Sequence, residues 1–238
     1  MLPQHIRYYI NFPHRIKQLP SLFHSLKTHP NTTPLKMSSN TTTTTTTPRY
    51  NGPPESEMTP AQRSIRSAIL SSRPRTGLSG PFGPWLAVPS IAAPAQELGR
   101  ACRYGTSLSF KESELVILLT GARTKSHAEF EIHRGEAIKS GWSEEVVESI
   151  PRDEAFSWEA VRDGLVPLLE GDEKMVALAL FTAELLETST VGEESYERTK
   201  EVMGGKDSVL VEIVSIVGYY TYVAYTLNVF NIQAPAGK

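Results

Sequence analysis

The chain of 238 residues contains one cysteine, Cys102, and only two of its six histidines lie beyond residue 54. A single cysteine excludes an internal disulfide framework, a Cys-x-x-Cys redox pair and a cysteine-rich zinc site. The chain also lacks a glycine-rich nucleotide-binding motif, so no cofactor is predicted. Stretches that alternate polar and apolar residues are nearly absent, which disfavours β-strands.

Acidic residues are absent before Glu55, so the charge is unevenly distributed although the whole chain is close to neutral. Residues 1–54 carry six basic residues, and the remainder carries 18 basic and 26 acidic residues, a formal charge of −8. A body this acidic does not have the clustered basic face of a nucleic-acid-binding protein. We therefore expect no nucleic-acid partner.

Residues 1–56 differ in composition from the rest of the chain. Eight of the 17 prolines and the threonine run Thr41–Thr47 fall in this segment, which cannot bury enough apolar surface to offset its chain entropy. We predict a disordered or targeting extension over residues 1–56 and a folded domain over 57–238. We expect a cytoplasmic protein, or a mitochondrial one if residues 1–36 are a transit peptide; translation that starts at Met37 is a third alternative.

From Thr59 onward the chain shows repeated signals for helix starts. Capping boxes, in which a Ser or Thr is followed three residues later by Glu or Gln, begin at Thr59, Ser109 and Ser126. Glycine and proline make Gly77–Trp85 irregular, and Pro94 opens a short helix that ends at Gly105. The other helices are predicted to span about 59–72, 114–123, 126–141, 143–150, 154–170, 173–187, 194–203 and 207–229. The predicted fold class is all-α.

The last predicted helix is long and apolar, as a membrane-spanning helix would be. Residues Val209–Phe230 are long enough to cross a bilayer, but they include Glu212 and several hydroxyl side chains. An acidic residue at the centre of a span costs about 2.5–3.5 kcal/mol. We therefore expect a core or interface helix of a soluble oligomer and no membrane partner.

Candidate catalytic groups are concentrated between Glu114 and His133. Ser126, Glu129 and His133 are separated by three and four residues, so they share one face of the predicted helix. Glu114 precedes an apolar run, where a buried carboxylate is costly unless it is paired. Burial raises the pKa of a carboxylate and a neighbouring carboxylate raises that of a histidine, which can bring either group into acid/base range. The alternative is structural: Ser126 and Glu129 form a helix cap, and Glu114 pairs with Arg123 or another cation.

A metal site is the other interpretation of the segment that contains His127 and His133. The two histidines are six residues apart, which places them on different faces of a helix. Zinc-binding helices space their histidines four residues apart. No metal site is therefore predicted.

Several segments resemble the carboxymuconolactone decarboxylase family. They are Ser79–Phe82, Leu98–Gly105, Ser107–Leu115, Ala122–Arg123, Ser126–His133 and Val217–Phe230. The resemblance covers roughly residues 58–235. It implies an all-α fold shared with alkyl hydroperoxidase D and assembly as dimers, trimers or hexamers.

In the peroxidase relative, a glutamate, two cysteines and a histidine form a proton-relay thiol site. The resemblance places the glutamate at Glu114, the histidine at His133, and the two cysteines at Ser126 and Glu129. Thiol peroxidase activity needs a nucleophilic thiolate and a resolving partner, and Cys102 lies outside the motif. That activity is therefore disfavoured, and the catalytic residues that the resemblance implies are Glu114, His133 and Glu129.

The resemblance implies a lyase that decarboxylates or isomerises a small lactone or an aromatic-derived acid without a cofactor. His133 would donate a proton to carbon, and Glu114 would set its tautomer and charge. Candidate substrate-binding residues, each with surface, core or interface packing as the alternative, are Arg123, Trp85, Phe82, Tyr219 and Tyr220. Two other functions remain open: a tailoring enzyme for a polyketide-like phenolic, and a non-catalytic oligomeric scaffold.

Overall fold

Helices form nearly all the regular structure in the computed structural model, which describes residues 47–73 and 77–234. The α-helices of this part are α1 (Pro60–Ser72), α2 (Phe82–Trp85), α3 (Pro89–Tyr104), α4 (Phe110–Arg123), α5 (His127–Lys139), α6 (Glu144–Glu148), α7 (Trp158–Ala160), α8 (Glu173–Thr188), α9 (Glu193–Val202) and α10 (Asp207–Phe230). No β-strand occurs among the described residues, so the all-α prediction is confirmed. The predictions for residues 1–46 lie outside the described residues.

Helix α4 is the centre of the fold. Every residue from Ser113 to Ala122 is buried, as expected for a helix that is apolar on most sides. Its neighbours are α5, α8 and α10, which pack around it. The predicted capping box fixes its start, since the Ser109 hydroxyl accepts from the Glu112 amide and the Glu112 carboxylate accepts from the Ser109 amide. This start places Glu114 near the beginning of the most buried helix.

Two predicted helix starts are wrong, and one of them involves proline. Helix α3 begins at Pro89 rather than Pro94, because proline is well suited to the first helical position. Pro94 then lies inside the helix, where it removes only the hydrogen bond that its missing N–H would donate to Ser90. Helix α4 likewise begins at Phe110, directly after its cap, rather than at Glu114.

The helix predicted over residues 154–170 is interrupted. It consists of α7, a π-helical turn over Val161–Leu165 and a 3-10 turn over Val166–Leu169. Gly164 weakens helix propensity and Pro167 lacks the N–H that a continuous α-helix would require. Within the segment predicted to be irregular, the four residues of α2 form a single helical turn.

Residues 47–56 are ordered against the end of α10, although we predicted disorder there. The Arg49 amide donates to the Phe230 carbonyl at 2.8 Å, and its guanidinium donates to the Val229 carbonyl at 2.9 Å. The Tyr50 and Phe230 rings lie 6.0 Å apart. Specific contacts with the folded domain therefore begin before residue 57, the predicted domain boundary.

Helix α10 has one buried face and one exposed apolar face. Its length and composition would suffice to cross a membrane, and just over half of its most apolar stretch is buried inside the structure. The core helix of a soluble protein has the same length and composition. The large exposed apolar residues of α10 are Val211, Val214, Tyr222, Tyr225 and Val229.

A close backbone contact joins the segment before α1 to α2. A Cβ added at Gly83 would lie 2.2 Å from the Asn51 carbonyl oxygen, whereas a Cβ at Gly135, in the exposed middle of α5, would meet nothing within 4 Å. We expect Gly83→Ala to lower the free energy of unfolding by about 1–3 kcal/mol or more through overpacking. Gly135→Ala should raise it by about 0.5–1 kcal/mol, because alanine is the better helix former.

Urea unfolding of the wild type and the two variants measures both effects. A Gly83→Ala variant that is as stable as the wild type would show that residues 47–56 do not pack closely on α2.

Candidate active site

Glu114 is a fully buried carboxylate with a cationic partner at each oxygen. Arg103 Nη1, from the last turn of α3, lies 2.5 Å from Oε1, and His133 Nδ1, from α5, lies 2.8 Å from Oε2. The contact between Arg103 and Glu114 is an ion pair. Because an unpaired buried charge is very costly, the two partners explain how α4 accommodates the carboxylate.

His133 lies between two carboxylates. Its Nδ1 faces Glu114, and its Nε2 lies 3.2 Å from Glu129 Oε1, one turn earlier on α5. The Tyr220 ring packs edge-on against the imidazole, with centroids 5.1 Å apart. The side chains of His133 and Glu129 are 9% and 4% exposed, so water screens these charges weakly.

The two carboxylates determine the charge of His133. Burial disfavours the imidazolium, but the charges of Glu114 and Glu129 outweigh that effect and raise the pKa of His133 from 6.5 to about 9. The imidazole is therefore protonated at neutral pH, with one N–H directed to each carboxylate. The arrangement stores a transferable proton in a buried position.

The predicted capping box at the start of α5 is wrong. Ser126 precedes α5, but its side chain accepts no hydrogen bond from the helix, and its hydroxyl is buried without a partner. The carboxylate of Glu129 faces His133 instead of the amide of Ser126. The Glu129 carboxylate interacts more strongly with the positively charged imidazolium of His133 than with the neutral backbone amide of Ser126. This difference explains why Glu129 faces His133. Ser126 and Glu129 therefore do not form the capping box that the sequence predicts.

Arg103 is the site residue that the sequence analysis missed. Besides its pairing with Glu114, its Nη2 lies 3.6 Å from Glu136 Oε2, and its guanidinium stacks over the Phe110 ring at 4.2 Å. Its side chain is only 11% exposed. The sequence offers one weak signal, a basic residue in the last turn of a helix, which does not indicate the helix that it contacts.

A cavity of about 170 Å³ opens beside His133. The residues of its wall that matter most for the chemistry are Phe82, Glu129, Ile132, His133, Tyr219 and Tyr220. An apolar cavity of about 150 Å³ is enough to accept benzene, so this one has room for a single ring. Glu129, which contacts Nε2 of His133, lines the cavity together with His133, whereas Glu114, which contacts Nδ1, does not.

Comparison with known proteins identifies the architecture. No family model and no curated protein matches the chain. A crystal structure of an alkylhydroperoxidase AhpD core, an uncharacterized peroxidase-related protein from Ralstonia eutropha JMP134, matches 79% of this chain and 92% of that one, with a TM-score of 0.60 and 17% identity. The chain has the AhpD fold. At 17% identity the likeness concerns the fold and not the activity.

Within the AhpD fold of this chain, three of the five predicted substrate-binding residues line the cavity: Phe82, Tyr219 and Tyr220. Trp85 lies behind them, where it stacks on Tyr222 and donates to the Thr226 hydroxyl at 3.0 Å. Trp85 is therefore a core anchor that supports the wall.

Arg123 does not line the cavity. It is the last residue of α4, about 13 Å along the helix axis from Glu114. The prediction that it contacts a substrate is therefore not supported by its position.

The tyrosines on α10 present neutral hydroxyls. Burial raises the pKa of Tyr219 and of Tyr220 well above the usual value, so both stay protonated at neutral pH. Tyr219 reaches the wall through a gap at Gly99, where an added Cβ would lie 2.1 Å from the Tyr219 hydroxyl oxygen. Both hydroxyls can donate a hydrogen bond to a ligand oxygen.

The acidic residues and His133 do not form a metal site. No group of three or more His, Cys, Asp or Glu side chains with the geometry to hold a metal ion occurs within residues 47–73 and 77–234. Glu114 and Glu129 face opposite nitrogens of His133, so their oxygens do not converge on one point. His127 is exposed and lies 3.6 Å from Asp153, away from the cavity.

The raised pKa of His133 predicts how stability depends on pH. Between pH 6.5 and about 9 the folded protein retains a proton that the unfolded chain releases. The stabilisation is complete below about pH 6.5 and is lost as the pH rises to about 9, at about 1.4 kcal/mol per pH unit and about 3 kcal/mol in all.

Urea unfolding of the wild type and of His133→Gln across this range measures the effect as a difference between the two slopes. His127→Gln is the matched control, because its exposed side chain should leave the wild-type slope intact. If the free energy of unfolding has the same slope against pH in the wild type and in His133→Gln, the raised pKa assigned to His133 is contradicted.

Proposed function

We propose that this protein is an acid/base enzyme, similar to carboxymuconolactone decarboxylase, that transfers a proton to carbon in a small lactone or an aromatic-derived acid. The observation that carries the proposal is the His133 imidazolium, held between Glu114 and Glu129 at the wall of a cavity. A general acid contributes typically 10²–10⁴-fold to a rate when it is positioned and charged correctly. The reaction class is a lyase or an isomerase.

The reaction itself suits a site built from side chains alone. When an unsaturated lactone loses CO2, the bond between the ring carbon and its carboxylate breaks, and the electron pair delocalises into the ring as a dienolate. A proton then adds to carbon. The lactone acts as the electron sink, so the protein must supply a proton donor and stabilise the negative charge that develops on oxygen.

His133 and its two carboxylates have separate roles in this scheme. Glu114 holds the Nδ1 proton and keeps the ring charged. The Nε2 proton, on the cavity side beside Glu129, is the one delivered to carbon. Glu129 can accept a proton from the medium and return it to His133 after each turnover, since it is the carboxylate that reaches the cavity.

Tyr219 and Tyr220 provide candidate donors for the developing oxyanion. Both line the cavity next to His133, and their raised pKa values keep their hydroxyls protonated. Neither hydroxyl has a hydrogen-bond partner among the described residues. Free donors that need no reorganisation are suited to stabilising charge as it forms.

Thiol peroxidase activity is disfavoured by the position of Cys102. This residue is buried in α3, where its thiol contacts the Ser215 carbonyl at 3.6 Å, and burial raises the pKa of the thiol. A reactive cysteine needs a lowered pKa, access and a resolving partner. The chain has no second cysteine.

The size of the cavity favours a single ring over a fused polyketide-like phenolic. A volume of about 170 Å³ is close to the benzene-sized example, so a larger phenolic would extend into solvent. A non-catalytic scaffold would have no need for a buried, charged imidazole at a cavity wall, because well-packed apolar residues can often replace a buried ion pair without loss of stability.

We also propose a cytoplasmic homo-oligomer. The exposed apolar residues of α10 would be covered by a second copy, since contiguous exposed apolar patches usually mark interaction sites. Sedimentation of the purified chain measures its oligomeric state.

Turnover of γ-carboxymuconolactone by the purified full chain tests the function. We expect conversion without an added cofactor and, in D2O, one deuteron on a ring carbon of the product, because the proton is added to a carbon of the dienolate. Glu114→Gln should lower kcat by about 10²-fold or more, because its amide cannot hold His133 in the charged form. The rate of the wild type should fall as the pH rises through about 9, the pKa of His133.

Two further variants serve as references. Glu129→Gln should also lower kcat, and it disturbs the buried ion pairs less than Glu114→Gln does. It therefore replaces Glu114→Gln in the test if circular dichroism shows that Glu114→Gln folds poorly. Glu131→Gln should have no effect, because this exposed acid on α5 does not line the cavity. No turnover by the wild type, or full turnover by a folded Glu114→Gln, would contradict the proposal.

A further inference from the structure

Arg73 is a buried cation at the cavity wall, and it forms no ion pair with any residue that the structure describes. The residue is 9% exposed and lines the cavity. Its Nη2 donates to the Gln96 carbonyl at 2.9 Å, and its Nη1 is shared between the Gln96 side-chain oxygen at 3.3 Å and the Ser72 hydroxyl at 3.0 Å. All these acceptors are neutral. Within residues 47–73 and 77–234, no carboxylate lies within ion-pair distance of Arg73.

The other charges at the cavity are compensated. Arg103 has Glu114 and Glu136, and His133 has Glu114 and Glu129. Arg73 is therefore the exception among the cations that line the cavity in the described part of the chain. The charge of Arg73 acts on the exposed carboxylate of Glu97 from beyond ion-pair distance. A buried cation without an ion-pair partner is costly, and an anionic ligand would lower that cost.

The guanidinium of Arg73 is also held in place. It stacks over the Phe82 ring at 4.8 Å while Gln96 fixes two of its nitrogens. Its Nε has no acceptor among the described residues and is not sealed from solvent. A planar donor group with fixed orientation is suited to bind a carboxylate.

Two aromatic rings separate Arg73 from the proton donor. The charge of Arg73 acts on the hydroxyl of Tyr219. The Tyr219 ring contacts Tyr220 at 5.2 Å, and the Tyr220 ring contacts His133 at 5.1 Å. The cavity thus has a cationic part and a proton-donating part on one aromatic wall. A ligand that reaches both needs one ring and one anionic substituent.

We propose that Arg73 binds the carboxylate of a monocyclic substrate and thereby directs the reacting carbon of the ring toward His133. This inference rests on the proposed function for the reaction that follows binding. The anion site itself can be tested by ligand binding alone. The carboxylate at Arg73 is not the one that leaves as CO2, because a cation stabilises the negative charge of a carboxylate and that charge is lost from the leaving group when CO2 forms. A substrate for decarboxylation therefore carries two carboxylates, and one for isomerisation needs only one.

Benzoate and benzamide are matched probes, since they share a ring and a shape and differ in charge. Titration calorimetry with the full chain at neutral pH gives both dissociation constants. We expect the wild type to bind benzoate at least 10-fold more tightly than benzamide. Arg73→Gln should reduce this ratio to about one, and Arg73→Lys should retain part of it because the charge is kept while the planar donor group is lost.

A second variant neutralises Arg73 without removing it. Gln96→Glu places a carboxylate where Arg73 now contacts an amide oxygen, so the ratio should fall toward one with the Arg73 side chain still in place. Arg100→Gln is the control, because Arg100 is an exposed arginine on α3 that pairs with Glu97 and does not line the cavity. It should leave the ratio unchanged.

The outcomes separate this inference from the proposed function. A wild-type ratio near one, or a ratio that survives in both Arg73→Gln and Gln96→Glu, would overturn the anion site. Glu114→Gln should retain most of the benzoate preference even if turnover is lost. A benzoate preference that depends on Arg73 supports the anion site even in a protein that does not convert γ-carboxymuconolactone.

Discussion

The buried carboxylate of Glu114 is the constraint on which the rest of the structure depends. It lies in α4, the most buried helix, and has no exposed surface. Such a charge is tolerated only when it is paired, and removal of one partner of a buried pair costs about 3–5 kcal/mol. Arg103 from α3 and His133 from α5 are those partners. One side chain therefore fixes three helices relative to one another.

The same constraint produces the chemistry. Because Glu114 binds Nδ1 of His133, the opposite nitrogen of the ring must point toward Glu129 and the cavity. Glu129 contacts His133 and does not accept a hydrogen bond from the Ser126 amide, as it would in a capping box. The Ser126 hydroxyl is left without a partner. A locally suboptimal helix start is the structural cost of a charged proton donor, which is typical of functional sites.

The sequence predicted those features that depend on local pattern. The boxes at Thr59 and Ser109 cap α1 and α4 as expected, and spacing along α5 places Glu129 and His133 on one face. Arg103 and Arg73 could not be found in this way, because Glu114 and Gln96, which they contact, lie on other helices. A lone arginine also most often lies at the surface. Arg123 was predicted as an alternative partner of Glu114 and as a candidate substrate-binding residue, but the length of α4 separates it from Glu114.

The protonation state of His133 is the most direct test of this account. Long-range proton–nitrogen NMR on the full chain with ¹⁵N-labelled histidine, with His133 assigned by comparison with His133→Gln, reports the state of each ring nitrogen. The account predicts that both nitrogens carry a proton at pH 7 and that the ring titrates near pH 9. A ring that is neutral at pH 7, with one bare nitrogen and a pKa at or below 6.5, would contradict it.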